Sequence, residues 1–103
     1  MIAVTVCYPT GVSFDAEYYA SKHMPMVREG FGKHGLRKDE VRTMKGTPTG
    51  APARYQVVTS LYFDDMGAVG AAFGSSEGRA IVKDIPNFFG GEAEVMIGEI
   101  APA

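Results

Sequence analysis

A histidine and a proline two positions apart form the stretch with the most evident chemistry, in the segment YYASKHMP that begins at Tyr18. Pro25 has no N–H to donate to the carbonyl of Ser21 and disfavours helical angles at the residue before it, so a helix through this segment should kink. The kink puts His23 on the last turn of the first half, where the negative end of the helix dipole favours a protonated imidazole. We therefore expect a pKa near neutrality, which suits a general acid or base.

The other features of the sequence give weaker indications of chemistry. A lone histidine beside a kink can simply hydrogen-bond the carbonyl that the proline frees, and spacing alone shows no orienting partner for His23. We expect His34 to be solvent-exposed and Cys7 to be a small core residue. Two distant histidines without a third ligand give no grounds for a metal site. The loop GTPTGAP, residues 46–52, lacks the Gly-Lys-Ser/Thr ending of a phosphate loop.

Four strands and two helical regions are expected to position His23. The composition predicts strands over 2–8, 36–46, 54–63 and 92–100 and helices over 14–35 and 65–85, the second with a restart near residue 75. Ser13 is expected to cap the first helix and Asp64 or Asp65 the second. In the second helix, Met66, Val69 and Phe73 define one apolar stripe. The order β-α-β-β-α-β predicts an α+β, ferredoxin-like fold with an antiparallel sheet, as one domain over residues 1–103.

The two faces of such a sheet differ in what can cover them. Along the third strand, alternate residues from Tyr55 to Phe63 form one set and the residues between them the other, and both sets contain apolar side chains. Helices can cover only one set, and the other is too apolar to face water, so a second sheet is expected to pack there. This predicts a homodimer through the sheet faces.

The charge pattern excludes several classes of partner. Ten basic and twelve acidic residues give a net charge of −2 without a basic stripe, so nucleic acid is not an expected partner. The longest apolar runs are strand-sized, and the first residues do not have a signal-peptide pattern. We therefore expect a cytoplasmic location and no membrane partner. The single cysteine excludes an internal disulfide.

Several short motifs, in this order, resemble those of the EthD family, small proteins of the dimeric α/β-barrel superfamily first associated with ethyl tert-butyl ether degradation. The likeness spans essentially the whole chain. The motifs are a strand ending at Tyr8-Pro9, the Tyr-Tyr pair followed by Lys22-His23-Met24-Pro25, the strand through Leu61-Tyr62-Phe63-Asp64, and Ser76-Glu77-Gly78 followed by Asp84-Ile85-Pro86-Asn87-Phe88.

The resemblance implies a dimer whose sheets close a barrel, with a pocket between helices and sheet in each subunit. It implies chemistry without a metal or organic cofactor, in which His23 transfers a proton on a small hydrophobic carbonyl, phenolic or lactone compound of a catabolic or biosynthetic pathway. Tyr18, Tyr62, Asp84 and Phe88 fall in matching segments and are the expected substrate-binding residues. Aromatic packing is the alternative for the three rings, and capping of helix-end amides is the alternative for Asp84.

Two other functions stay open at this point. One is an accessory protein that binds a hydrophobic catabolite without converting it. The other is a haem-binding member of the same superfamily, in which His23 would be the axial ligand.

Overall fold

The computed structural model of the protein describes all of residues 1–103. In chain order its elements are β1 (Ile2–Pro9), α1 (Ala16–Tyr18), a π-helical turn (Tyr19–His23), α2 (Met24–Gly32), β2 (Leu36–Thr43), β3 (Tyr55–Phe63), α3 (Met66–Gly74), α4 (Ser76–Asp84), a 3-10 turn (Ile85–Asn87) and β4 (Glu94–Glu99). The strands lie where composition predicts them. The first helical region is divided by the π-helical turn and the second by a restart at residue 75.

The four strands form one antiparallel sheet in the order β2-β3-β1-β4. β1 lies in the interior and pairs with two strands, so that Val4 is opposite Leu61 of β3 and Ile97 of β4. Strands rich in β-branched and aromatic residues suit this position because their side chains pack on the pleated surface. The predicted α+β, ferredoxin-like arrangement is confirmed.

Side-chain caps set the starts of the helices. The Asp15 carboxylate accepts a hydrogen bond from the amide three residues on, and Asp65 and Ser75 do the same for α3 and α4. Each such cap satisfies an amide without a helical partner and contributes about 1 kcal/mol. The prediction that Ser13 caps the first helix is wrong. Its backbone carbonyl instead accepts from the amide of Gly90, which ties the loop before α1 to the chain after the 3-10 turn.

The hydrophobic core lies between the helices and one face of the sheet. Val4 and Phe63 are fully enclosed there, with no exposed surface. From α3 the buried residues are Val69 and Ala72, whereas Met66 is 52% exposed. Met66 therefore does not belong to the apolar stripe, because the first residues of α3, Met66 and Gly67, are exposed.

The other face of the sheet has no helix against it. Cys7 and Val58, which pair with each other near the centre of this face, are buried. At the edge, Met96 of β4 lies opposite Thr5 on this face and is 57% exposed, whereas Val95 and Ile97, which are 53% and 51% exposed, are opposite Val6 and Val4 on the side of the helices. Apolar surface of this kind is typical of a contact with another protein. None of the helices has the length and apolar character needed to cross a bilayer.

Candidate active site

The first helix opens at the proline in a wider turn than a simple kink would give. The amide of Met24 donates to the carbonyl of Tyr19, five residues back, which makes residues 19–23 a π-helical turn. Such turns occur often at functional sites, and here Pro25 follows at once and cannot donate an amide hydrogen itself. The turn directs Tyr19 and His23 to the same side, with their rings nearly parallel and 5.4 Å apart between centroids. Both residues are buried.

His23 has an orienting partner in Asp84, at the end of α4. The imidazole Nδ1 lies 2.9 Å from Oδ2 of Asp84. The other carboxylate oxygen, Oδ1, accepts hydrogen bonds from the Tyr18 hydroxyl at 2.7 Å and the Asn87 side-chain amide at 2.9 Å. Burial raises the pKa of Asp84, but the hydrogen bonds from Tyr18, Asn87 and His23 outweigh it, so the pKa lies below the ordinary value. Asp84 is therefore ionised at neutral pH.

The ionised partner decides the state of the imidazole. A carboxylate only accepts hydrogen bonds, so Nδ1 of His23 carries the hydrogen and Nε2 carries the lone pair. Burial lowers the pKa of His23 and dominates over Asp84, which raises it, so the ring is neutral at pH 7. The expectation of a pKa near neutrality, raised by the helix dipole, missed this burial. Nε2 makes no hydrogen bond to the protein. Every buried side-chain nitrogen has a partner, so Nε2 is not buried and is accessible from the cavity that His23 lines.

That cavity lies between the helices and the covered face of the sheet. Its volume is about 350 Å³, at the small end of the range for ligand sites. Thirteen of its eighteen lining residues are hydrophobic, so a bound molecule would be largely removed from water. The lining residues are Val6, Tyr8, Tyr19, His23, Met24, Val27, Phe31, Thr59, Leu61, Phe73, Ile81, Val82, Ile85, Pro86, Gly91, Glu92, Ala93 and Val95.

A pair of hydroxyl groups lies in the cavity wall. The Tyr19 hydroxyl and the Thr59 Oγ1 are 2.5 Å apart, and either can be the donor. Burial raises the pKa of Tyr19, and it raises that of the neighbouring Tyr8 further still. The phenols therefore keep their protons at neutral pH and act as hydrogen-bond donors. Sequence reasoning missed Tyr19 and Thr59 as site residues, although strand alternation puts Thr59 in the set that includes Leu61.

Of the expected substrate-binding residues, three surround His23 without lining the cavity. Tyr18 and Asp84 form the hydrogen-bonded group behind the imidazole, and the Phe88 ring packs 4.5 Å from it between centroids. They hold the histidine and are not part of the cavity wall.

The fourth expected residue, Tyr62, lies elsewhere. It pairs with Ala3 on the helix-free face of the sheet, and the Lys38 ammonium sits 4.8 Å from its ring centroid. Strand alternation turns Tyr62 away from the cavity that its neighbours Leu61 and Thr59 line. The expectation that it lines the pocket is corrected on this ground.

The second histidine also differs from expectation. His34 is not simply exposed, because its Nε2 lies 2.9 Å from Oε1 of Glu77, and 28% of its side chain is exposed. This pair joins the end of the first helical region to the start of α4. No three histidine, cysteine, aspartate or glutamate side chains are grouped so that they could hold a metal ion.

The chain is similar to known proteins over nearly its whole length. The EthD domain matches residues 10–92. An uncharacterized 11.0 kDa protein of the thcB-thcC intergenic region of Rhodococcus erythropolis is 32% identical, over 93% of this chain and 91% of that protein. The crystal structure of an ethyl tert-butyl ether degradation (EthD) family protein from Bacillus halodurans superimposes with a TM-score of 0.83 at 28% identity, covering 98% of this chain and 99% of that one. An EthD-like protein from Ralstonia eutropha gives a TM-score of 0.83 at 31% identity, covering 95% and 89%.

Proposed function

The chain belongs to the EthD family, and we propose that it is a cofactor-independent enzyme in which His23 transfers a proton on a small hydrophobic carbonyl, phenolic or lactone compound. The observation that carries this proposal is the neutral imidazole whose Nδ1 is held by Asp84 while Nε2 is accessible from an apolar cavity. A positioned base of this kind accelerates proton transfer by about 10²–10⁴-fold.

The proton transfer can be written from the geometry. Nε2 of His23 removes a proton from the carbon next to the substrate carbonyl. The electron pair of that C–H bond forms a C=C bond, and the π pair of the carbonyl moves to its oxygen, giving an enolate. The imidazolium that forms is stabilised by the adjacent Asp84 carboxylate, which itself stays ionised. Return of the proton to a different carbon completes an isomerisation. The two steps together consume no oxidant or reductant.

The apolar cavity also favours a second function, binding of a hydrophobic catabolite without conversion. A carrier needs the cavity but does not need the lone pair on Nε2, so the two functions differ in what His23 contributes. In a carrier, His23 would serve only as part of the cavity wall, and its replacement by a residue of similar size would leave the affinity for the ligand and the rate of proton exchange unchanged.

An exchange experiment separates the two functions. We propose 2-indanone as the probe, in D₂O, with loss of its α-protons followed by NMR and its affinity measured in parallel. The enzyme accelerates exchange, and His23→Gln lowers the rate by about 10²–10⁴-fold with affinity retained. His34→Gln, the matched control outside the cavity, keeps the wild-type rate. Equal rates for wild type and His23→Gln, with binding intact, would support the carrier and contradict the enzyme.

We also propose a homodimer through the helix-free face of the sheet, working in the cytoplasm. The proposal is supported by the apolar residues Cys7 and Val58 on that face and by Met96 of β4, which is exposed on it. Thr5 lies between them, opposite Ser60 and Met96. In light scattering, the wild type should have twice the chain mass of 11.0 kDa, and the Thr5→Arg variant should have the mass of a single chain. A wild-type monomer would contradict the dimer without touching the proton-transfer proposal.

A further inference from the structure

The polar groups that line the cavity are uncharged, except for one carboxylate. Inside it are the neutral imidazole of His23 and the hydroxyl groups, and the only carboxylate in its lining is that of the exposed Glu92. We propose, building on the function above, that the ligand is an uncharged carbonyl compound whose oxygen accepts a hydrogen bond from the Tyr19–Thr59 pair, and that Glu92 excludes carboxylates.

The hydroxyl pair has one hydrogen to spare. Each hydroxyl carries a single hydrogen, and the bond between Tyr19 and Thr59 uses only one of the two. The hydroxyl of Tyr8, which lines the same cavity, also interacts with that of Tyr19, so three hydroxyl groups carry three hydrogens for two bonds. Whichever hydroxyls donate within this group, one hydrogen is left for an acceptor in the cavity. Thr59 is 2% and Tyr19 4% exposed, so a ligand oxygen that satisfies this donor is bound away from bulk water, where the hydrogen bond is stronger.

The same pair lies close to the base. The ring of Tyr19 stacks on that of His23 with 5.4 Å between centroids, and Tyr19, Thr59 and His23 line one cavity, so a single ligand can contact both the hydroxyl pair and Nε2. When His23 takes the proton, the negative charge moves to this oxygen, and a donor already in place stabilises it without reorganisation. The pair thus fits the carbonyl both before and during proton transfer.

A ligand with a carboxylate would be disfavoured in this cavity. No lysine or arginine is among the lining residues, so a buried carboxylate would lose its hydration without gaining a countercharge. The lining carboxylate of Glu92 adds repulsion. An ammonium ligand would meet Glu92 favourably, but the rest of the wall is apolar and desolvates its charge. The uncharged ligand is favoured over both ions.

Three ligands of one shape test this selectivity by calorimetry: 2-indanone, indane-2-carboxylate and 2-aminoindane. The ketone is expected to bind at least about 100-fold more tightly than either ion at pH 7. Glu92→Lys should strengthen carboxylate binding about tenfold by replacing repulsion with attraction. A carboxylate that binds as tightly as the ketone, or the absence of binding by all three, overturns the proposal.

A double variant tests the hydroxyl pair. Tyr19→Phe with Thr59→Val removes both partners of this bond and keeps their shapes, so the fold should persist. The thermal midpoint checks this, and affinity for 2-indanone should fall about tenfold. Unchanged affinity contradicts the assignment. These are binding measurements, so they can fail while exchange still depends on His23, and exchange can fail while they succeed.

Discussion

The two histidines of this chain make nearly the same contact in two different settings. His23 and His34 lie at either end of α2, and each bonds to a carboxylate of α4 at 2.9 Å, the first to Asp84 at its end and the second to Glu77 at its start. The His23 side chain is 4% exposed, whereas that of His34 is 28% exposed. Only the first borders the apolar cavity.

This difference shows that a histidine–carboxylate pair is not in itself a site. Asp84 is fixed by Tyr18 and Asn87 as well as by His23, so it holds the imidazole in one orientation. Glu77 bonds outside its own helix only to His34, at the surface, where such pairs contribute little. Chemistry at His23 follows from burial and from a fixed partner together.

The largest effect is expected from the partner of His23. In Asp84→Asn the amide NH₂ can donate to Nδ1, which shifts the hydrogen to Nε2 and removes the base. We expect α-proton exchange of 2-indanone to slow by about 100-fold or more. Glu77→Gln makes the matching change at the other pair and should leave the rate unchanged. Equal loss in both variants would mean that the carboxylates act through stability alone.

A smaller effect on the exchange rate is expected from Tyr18, which bonds to Asp84 and not to His23. Tyr18→Phe removes one of the hydrogen bonds to Asp84 Oδ1 and leaves the amide of Asn87 in place. The exchange rate should fall by at most about tenfold, the equivalent of one hydrogen bond. Tyr62→Phe, which removes a phenol from the opposite face of the sheet, is the control. A greater loss in Tyr62→Phe than in Tyr18→Phe would show that the network around Asp84 does not govern the rate.

The pH dependence of stability should report the burial of His23. Its pKa is lowered on folding from 6.5, so between the folded value and 6.5 the unfolded chain binds more protons than the folded one. The free energy of unfolding therefore falls as pH decreases from 6.5 through the folded pKa, and this contribution is constant above 6.5. Denaturant titrations of His23→Gln should lack this part of the profile. An identical profile in the variant would assign it to other groups.

The smallest effect belongs to the surface pair. His34→Gln should lower the free energy of unfolding by no more than about 1 kcal/mol, because a partly exposed pair is screened by solvent. Denaturant titration measures this, and the exchange rate serves as the second readout. A larger loss would mean that this contact is needed to keep α2 and α4 together.

Sequence pattern predicted the fold well because its signals are local. The strand compositions, the cap at Asp64 or Asp65, the restart near residue 75 and the proline within the first helix all act within a few residues. His23 stood out for the same reason, through its spacing from Pro25. Asp84 lies 61 residues away, and no periodicity connects the two, so only the fold shows that they meet.

Neighbouring aromatic residues were harder to assign for a physical reason. Tyr18 and Tyr19 are adjacent, and which of them lines the cavity depends on the extra width of the π-helical turn, which sequence pattern does not show. The turn directs Tyr19 to the cavity and leaves Tyr18 on the side of Asp84. Alternation sorts Tyr62 and Leu61 onto opposite faces, but it does not state which face the helices cover.

The central claim is that Nε2 of His23 carries a lone pair at neutral pH while Asp84 holds Nδ1. Nitrogen-15 NMR of the imidazole rings reads this directly, with His23→Gln used to assign the signals. The account predicts a neutral His23 ring at pH 7 with its hydrogen on Nδ1 and a pKa below 6.5. A hydrogen on Nε2 of the neutral ring, or a doubly protonated ring at pH 7, would contradict it.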